Sequence, residues 1–216
     1  MTDVDAQRRA AGEAAAALVR SGMSLGYGTG RAAAAALAAL ARRKLDVRGV
    51  PTSERTAELC RSLGLALTTL EETPELDLCI DGADEIDPDK QVLKGGGGAM
   101  VREKLVALAS RRRVLIVEES KLVRRLGTTR GLPVAVLSFG WSSTVRRLER
   151  LLPGASRRAE LNDDGNVVVD APIPAAADLH ELDAAVKRIP GVVDHGLFLD
   201  LSPEVLVGTP HGVRML

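Results

Sequence analysis

Apolar positions recur along this chain in two different rhythms. In residues 1–20, Ala11, Ala15, Leu18 and Val19 fall on a helical period that closes at Ser21-Gly22. A short apolar run at 23–27 leads into Gly28-Thr29-Gly30, and an alanine-rich helix is expected from there to Arg43. Residues 47–50 read as a strand and 53–63 as a helix, with Ser53 placed to cap it and Glu54 to complement its dipole. The alternation continues with a strand at 76–80, a helix at 99–110 and a strand at 114–117. Short runs that are apolar throughout, separated by helices, predict a parallel sheet covered on both faces.

From about Thr128 the rhythm changes: strand-like 134–137, helix-like 143–152, strand-like 166–170, helix-like 178–189 and strand-like 192–198. That order predicts a compact α+β unit, with Pro133 and Pro172-Ile173-Pro174 expected at its edges because proline cannot donate to a ladder. Val205-Leu206-Val207 is patterned like the earlier strands and points the C-terminus back to the first sheet. Neither an internal repeat nor a low-complexity tail is evident.

The chain has 216 residues, enough to bury roughly 70% of its unfolded surface without a disulfide or metal staple. Its 29 Lys and Arg balance 29 Asp and Glu, which argues against a polyanion-binding surface and so against nucleic acid. Only Tyr27, Phe139, Trp141 and Phe198 are aromatic, too few for base-stacking platforms and consistent with a core of Ala, Val and Leu. Cys60 and Cys79 form no CxxC pattern and read as buried thiols in a reducing compartment. The N-terminus lacks the apolar core of a signal peptide, and the alanine-rich run at 32–41 is too short to cross a bilayer. A cytoplasmic protein with no membrane partner is expected.

Several turns carry candidate chemistry. Gly26-Tyr27-Gly28-Thr29-Gly30-Arg31 exposes backbone N–H groups and a helix N-terminus, which suits an anion. A dinucleotide fingerprint starting at Gly26 would need glycine where Arg31 stands, so a phosphate turn or a plain tight turn is left. Asp81-Gly82-Ala83-Asp84-Glu85 follows the strand at 76–80 directly, where ligands of parallel sheets bind. As a calcium loop it fails, because Ile86 and Val92 occupy the positions that need Gly and Glu. Its carboxylates can instead hold sugar hydroxyls and relay protons, or form a solvated acidic turn.

Lys94-Gly95-Gly96-Gly97-Gly98-Ala99 is the most informative segment. Four consecutive glycines have a high entropic cost and make sense where amides must approach a ligand closely. With the Lys94 charge and the free N–H groups of the next helix, the segment reads as an oxyanion cradle. Glu103 lies four residues into that helix, on the side of Ala99, and is placed to project toward the cradle. The plainer alternative is a flexible loop with a surface lysine and glutamate. Glu118-Glu119-Ser120-Lys121 follows another strand and offers Lys121 as a second cation for phosphate, or is a capping turn. His180, His195 and His211 show no metal-ligand spacing, and no G-x-S-x-G elbow occurs.

With those segments laid out, the chain resembles ribose-5-phosphate isomerases of the A type. The similarity extends over nearly its whole length: GYGTG, Val50-Pro51-Thr52-Ser53 before a helix, DGADEID, KGGGGAMVREK, Glu119-Ser120-Lys121, DDGNVVVD, IPGVVDHGLF and VGTPHGV. The resemblance implies an α/β fold, with a Rossmann-like parallel-sheet domain (1–127 plus 201–216) and a smaller ferredoxin-like α+β domain (128–200). It implies interconversion of ribose 5-phosphate and ribulose 5-phosphate through an enediolate, with neither metal nor other cofactor. Carried onto this sequence, Glu103 would move a proton between C2 and C1, and Asp81 and Asp84 would assist ring opening and proton movement on the oxygens. Lys94 with the amides of Gly95, Gly96 and Gly97 would stabilise the oxyanion. Thr29, Gly30, Arg31, Ala32, Gly82, Ala83 and Lys121 would bind the sugar phosphate, in a homodimer or homotetramer.

The family's first loop usually continues G-T-G-S-T-A, whereas Arg31-Ala32-Ala33 follow Gly30 here, so two hydroxyl contacts are missing. Arg31 is expected to replace them with a bidentate phosphate contact, together with Arg8. Another aldose phosphate as substrate is the alternative this change raises. A sugar-phosphate sensor would need a DNA-binding module, for which the 22 residues before Met23 are too few. A coenzyme A transferase of related architecture is disfavoured by the intact DGADE and KGGGGA pair.

Overall fold

The computed structural model describes residues 3–216, so Met1 and Thr2, where the first expected helix begins, lie outside the described residues. In chain order the first half comprises α1 (Asp3–Ala17), β1 (Ser24–Tyr27), α2 (Arg31–Arg42), β2 (Arg48–Pro51), α3 (Glu54–Ser62), β3 (Ala66–Leu67) and β4 (Leu76–Asp81). Next come β5 (Glu85–Ile86), β6 (Val92–Leu93), α4 (Met100–Ala109), β7 (Ser110–Glu118) and a 3-10 turn, Glu119–Lys121. The remainder is β8 (Leu132–Val136), α5 (Trp141–Leu151), β9 (Ser156–Leu161), β10 (Val167–Ala171), α6 (Leu179–Lys187), β11 (Val192–His195), β12 (Leu197–Phe198), β13 (Glu204–Thr209) and β14 (Gly212–Met215). No helix among the described residues is long and apolar enough to cross a membrane.

The chain divides into two compact units. The first is Met1–Ala83, Arg102–Leu122 and Leu201–Leu216; the second is Asp84–Val101 and Val123–Asp200. This division differs from the sequence boundaries at 84–101 and 123–127. The physical reason is pairing and packing: β6 pairs with β12, and Leu93 and Leu126 lie in the second unit's core.

In the first unit, seven strands are ordered β14-β13-β7-β4-β1-β2-β3, parallel except for the final β13–β14 pair. The C-terminal strands therefore return to the first sheet. Because β2 lies on one side of β1 and β4 on the other, the strand order reverses between β1 and β4, and their carboxyl ends flank a ligand-binding crevice in sheets of this kind. Two glycines sit where neighbouring elements approach too closely for a side chain. A Cβ on Gly12 of α1 would lie 2.7 Å from the Ala36 backbone nitrogen of α2, and one on Gly26 of β1 would lie 2.4 Å from Val106 of α4. The first helix is shorter than expected, ending at Ala17, and just beyond it the Ala16 carbonyl accepts from Val19 N–H while Arg43 donates to the carbonyls of Ala16 and Val19. Ser53 caps α3 as expected, accepting from Thr56 N–H at 3.1 Å.

In the second unit, β8-α5-β9-β10-α6-β11 form a four-stranded antiparallel sheet ordered β11-β8-β10-β9, the ferredoxin-like arrangement. Strands β12, β6 and β5 form a separate three-stranded sheet. Two expectations are corrected here. Pro133 lies in the interior strand β8, not at an edge; it is the second residue of its strand, and its carbonyl accepts from Gly196 N–H at 2.8 Å. The single strand expected over 192–198 is two strands in different sheets, broken at Gly196, where a Cβ would lie 2.1 Å from the Lys94 carbonyl oxygen.

Candidate active site

The first unit contributes Asp81, the Gly28–Gly30 turn, Glu103 and Lys121. Asp81 ends β4, is 2% exposed, and its Oδ1 accepts from the N–H of Thr29 at 3.1 Å and of Gly82 at 2.7 Å. The turn after β1 thus meets the end of β4 at the point where strand order reverses. Gly28 permits this approach, since a Cβ there would sit 2.3 Å from Asp81 Oδ1. The Thr29 hydroxyl is 2.7, 2.8 and 3.0 Å from those of Thr52, Ser53 and Thr56. This four-hydroxyl cluster ties the β1 turn to the start of α3. The Gly28-Thr29-Gly30 turn and the Pro51-Thr52-Ser53 segment were both visible in the sequence, but nothing there showed that their hydroxyls meet.

Gly30, with φ of 109°, precedes α2, whose N-terminus carries no side-chain cap. Arg31 is exposed at its first residue, and Ala32 packs into the core. Gly82 and Ala83 are half-buried. Glu103 lies in the first turn of α4 and is 5% exposed. Lys121 closes the 3-10 turn after β7 and is half-buried.

One pairing expected from the sequence is overturned. Arg8 is not available to a phosphate beside Arg31: its Nη2 and Nε donate to the two carboxylate oxygens of Glu118 at 2.7 and 3.2 Å, and its Nη1 to Asp5 at 3.0 Å. Burial is the largest single influence on Glu118 and pushes its pKa up. The hydrogen bond from Arg8, a backbone donor and the charges of Arg8 and Lys121 together pull it below the ordinary value. Burial pushes the Cys60 thiol up to about 11, with Arg61 opposing, so it is no nucleophile at neutral pH.

The second unit contributes Asp84, Lys94 and the glycine loop. The Gly96 N–H donates to Asp84 Oδ2 at 2.6 Å, and Arg130 Nε lies 3.7 Å from Asp84 Oδ1. Any side chain at residue 96 would collide with this carboxylate, as a Cβ would be 2.8 Å from Oδ1. Lys94 is 4% exposed, its backbone N–H bonds Gly196, and its ammonium lies 5.9 Å from the centre of the Phe198 ring. Gly95 and Gly98 have φ of 102° and 81°, conformations that favour glycine.

Glu85, adjacent to Asp84, has a different task. It is wholly buried and accepts from the N–H groups of Gly127, Thr129 and Arg130 and from the Thr129 hydroxyl. The DGADE segment therefore combines carboxylates that can face a ligand with one that only anchors a loop. Among the described residues no group of three or more His, Cys, Asp or Glu side chains is arranged to hold a metal ion.

Taken together, these groups offer carboxylates, an ammonium and glycine amides, the set required to move protons while charge collects on an oxygen. Comparison with known proteins agrees in kind. The family model for ribose 5-phosphate isomerase A (phosphoriboisomerase A) matches residues 48–212. A ribose-5-phosphate isomerase A from Caulobacter sp. (strain K31) is 51% identical over 222 residues, covering 98% of each chain. The solved ribose 5-phosphate isomerase of Plasmodium falciparum superposes with a TM-score of 0.93 at 36% identity, over 98% of both chains. A D-ribose-5-phosphate isomerase solved in complex with phospho-erythronic acid also has a TM-score of 0.93, at 29% identity, over 100% of this chain and 99% of the other.

Proposed function

The chain belongs to the ribose 5-phosphate isomerase A family, and from that premise we propose that it interconverts D-ribose 5-phosphate and D-ribulose 5-phosphate through an enediolate. The observation that carries this reading is the hydrogen bond from Gly96 N–H to Asp84 Oδ2, which draws the family's acidic turn and glycine loop into one constellation.

In the open-chain aldose, the hydrogen on C2 can leave as a proton only if the C1 carbonyl accepts the electron pair. Glu103 takes that proton, the C–H pair becomes a C1–C2 double bond, and negative charge collects on O1. The Lys94 ammonium and the amides of Gly95 and Gly97 stabilise that charge, while the Gly96 N–H is engaged by Asp84; loss of one such donor typically costs about 10²–10³ in turnover. Asp81 and Asp84 carry the proton from O2 to O1 and assist ring opening. Glu103 then returns its proton to C1 as the carbonyl forms at C2. One C–H and one O–H have changed places, so no electron acceptor is consumed. Lys121, Gly30, the exposed Arg31 and the uncapped N-terminus of α2 hold the phosphate, an anion suited to a helix N-terminus.

A coupled assay with ribose 5-phosphate in the presence of EDTA tests the activity, which is expected to persist. Glu103→Gln is expected to lower kcat by at least ~10²-fold with the circular dichroism spectrum unchanged; near-wild-type turnover removes Glu103 from the mechanism. A second reading, another aldose phosphate as preferred substrate, rests on Arg31-Ala32 and is separated by comparing kcat/KM across pentose and hexose phosphates. A homodimer or homotetramer in the cytoplasm completes the proposal. Leu105 and Leu108 of α4 are 53% and 58% exposed, the kind of surface a subunit interface covers, and the buried free thiols suit a reducing compartment. Light scattering that finds only monomer removes the assembly.

A further inference from the structure

Arg158 belongs to none of the segments singled out from the sequence. It lies on β9, where Leu161 pairs with Val167 but Arg157 pairs with Val169, so a four-residue step faces a two-residue step on β10. Irregularities of this kind re-aim side chains, and Arg158 sits inside this one. Its Nε and Nη2 donate to the two carboxylate oxygens of Asp170 at 2.7 and 2.6 Å. Its Nη1 donates to the carbonyls of Gly95 and Gly96 at 3.0 and 3.2 Å.

Two consecutive carbonyls converging on one cation set the direction of the amides that follow them. In a trans peptide the C=O and the next N–H point to opposite sides of the chain, and the described chain contains no cis peptide. With the Gly95 and Gly96 carbonyls turned toward Arg158, the N–H groups of Gly96 and Gly97 face away from it. That is where Gly96 N–H meets Asp84. A run of four glycines has little conformational preference of its own; one turn bond inside it, from Gly98 N–H to the Gly95 carbonyl at 2.9 Å, holds the first carbonyl, and Arg158 engages that carbonyl and the Gly96 carbonyl together from outside the run.

We propose that Arg158, held by Asp170, is the positioning residue of the glycine cradle, clamping two carbonyls so that the amides of Gly96 and Gly97 present on Asp84's side. The proposal rests on the reading of this loop as the site that stabilises the enediolate oxygen. Arg158 acts through the loop and not on the sugar. An arginine is required because the planar fork serves Asp170 and the carbonyls together, which a lysine ammonium cannot.

The test uses the full chain with Arg158→Ala, Arg158→Lys and Asp170→Asn. Arg158→Ala is expected to lower kcat about 10–100-fold while KM for ribose 5-phosphate stays within about two-fold. The inhibition constant of phospho-erythronic acid, whose carboxylate spreads charge over two oxygens as the enediolate does, should rise in step with the loss of kcat. Arg158→Lys should not restore turnover. Guanidinium ion at millimolar concentration should partly restore Arg158→Ala, because a cavity of about 290 Å³ lined by Gly96, Arg130, Gly131, Pro133, Arg158 and Asp170 can admit it. A merely structural role would lower the melting temperature without moving the inhibitor's affinity or responding to guanidinium. A folded Arg158→Ala with kcat within about two-fold of wild type overturns the proposal. Independently of turnover, amide exchange at Gly96 should accelerate at least about ten-fold in Arg158→Ala, and unchanged exchange there overturns the clamp. If the amides respond but the wild-type chain does not isomerise ribose 5-phosphate, the clamp stands and the catalytic reading of the loop fails.

Discussion

Replacing Arg8 by methionine would separate a buried charge from its partner, and the consequences can be worked through to a sign. The side chains of Arg8 and Glu118 are 9% and 5% exposed and share two hydrogen bonds. Removing one member of such a pair typically costs about 3–5 kcal/mol, because the other is left buried and uncompensated. For a chain of this size that is a fall in melting temperature of roughly 6–20 °C. In the wild type, Glu118 titrates below its reference value of 4.5, so its contribution to stability is complete above that value and is lost as pH falls through the folded pKa. Without Arg8 the largest influence, burial, is opposed only by a backbone donor and the Lys121 charge, and the pKa is expected to rise. The variant can then fold with Glu118 neutral, so its deficit relative to wild type should shrink between about pH 7 and pH 5. Arg8→Met combined with Glu118→Met should recover most of the loss, since both charges are gone. Thermal melts followed by circular dichroism across that range supply the measurement. A deficit below about 1 kcal/mol at pH 7, or one that does not change with pH, would refute the reasoning.

Three further outcomes follow from close contacts. Gly28→Ala places a methyl group 2.3 Å from Asp81 Oδ1 and is expected to lower kcat at least ~10-fold; a crystal structure with Asp81 unmoved and full turnover would contradict it. Arg31→Ala is expected to raise KM for ribose 5-phosphate about 10-fold with kcat nearly constant, and an unchanged KM makes Arg31 a bystander. Glu85→Ala leaves three backbone N–H donors around residues 127–130 without their acceptor and is expected to cost about 3 kcal/mol or more in a denaturant melt; a loss under about 1 kcal/mol would show that the loop does not depend on it.

The alternation of short apolar runs with helices was legible because strand and helix periods are properties of neighbouring residues. It located the parallel sheet, the later α+β unit and the return of the C-terminus. The two glycine-rich turns and the acidic segment were legible for the same reason, since a turn's conformation and its candidate chemistry are carried by the residues within it. Nothing local distinguishes Asp84 from Glu85, however. One accepts from Gly96 and the other from a loop more than 40 residues onward. Strand β9, six residues exposed at every position except Arg158, gave no apolar run to detect.

What the amino-acid order determined by itself was the inventory: which segments are helix, strand or turn, and which of them carry carboxylates, ammonium groups and bare amides. Only the tertiary structure decided the partners. Arg8 meets Glu118 across 110 positions, Arg158 reaches the glycine loop across 63, and the strand over 192–198 breaks because Gly196 must pass the Lys94 carbonyl. Periodicity specifies which face of an element is buried, but which side chain lies opposite depends on sheet order and register, and those are fixed by the packing of the whole chain.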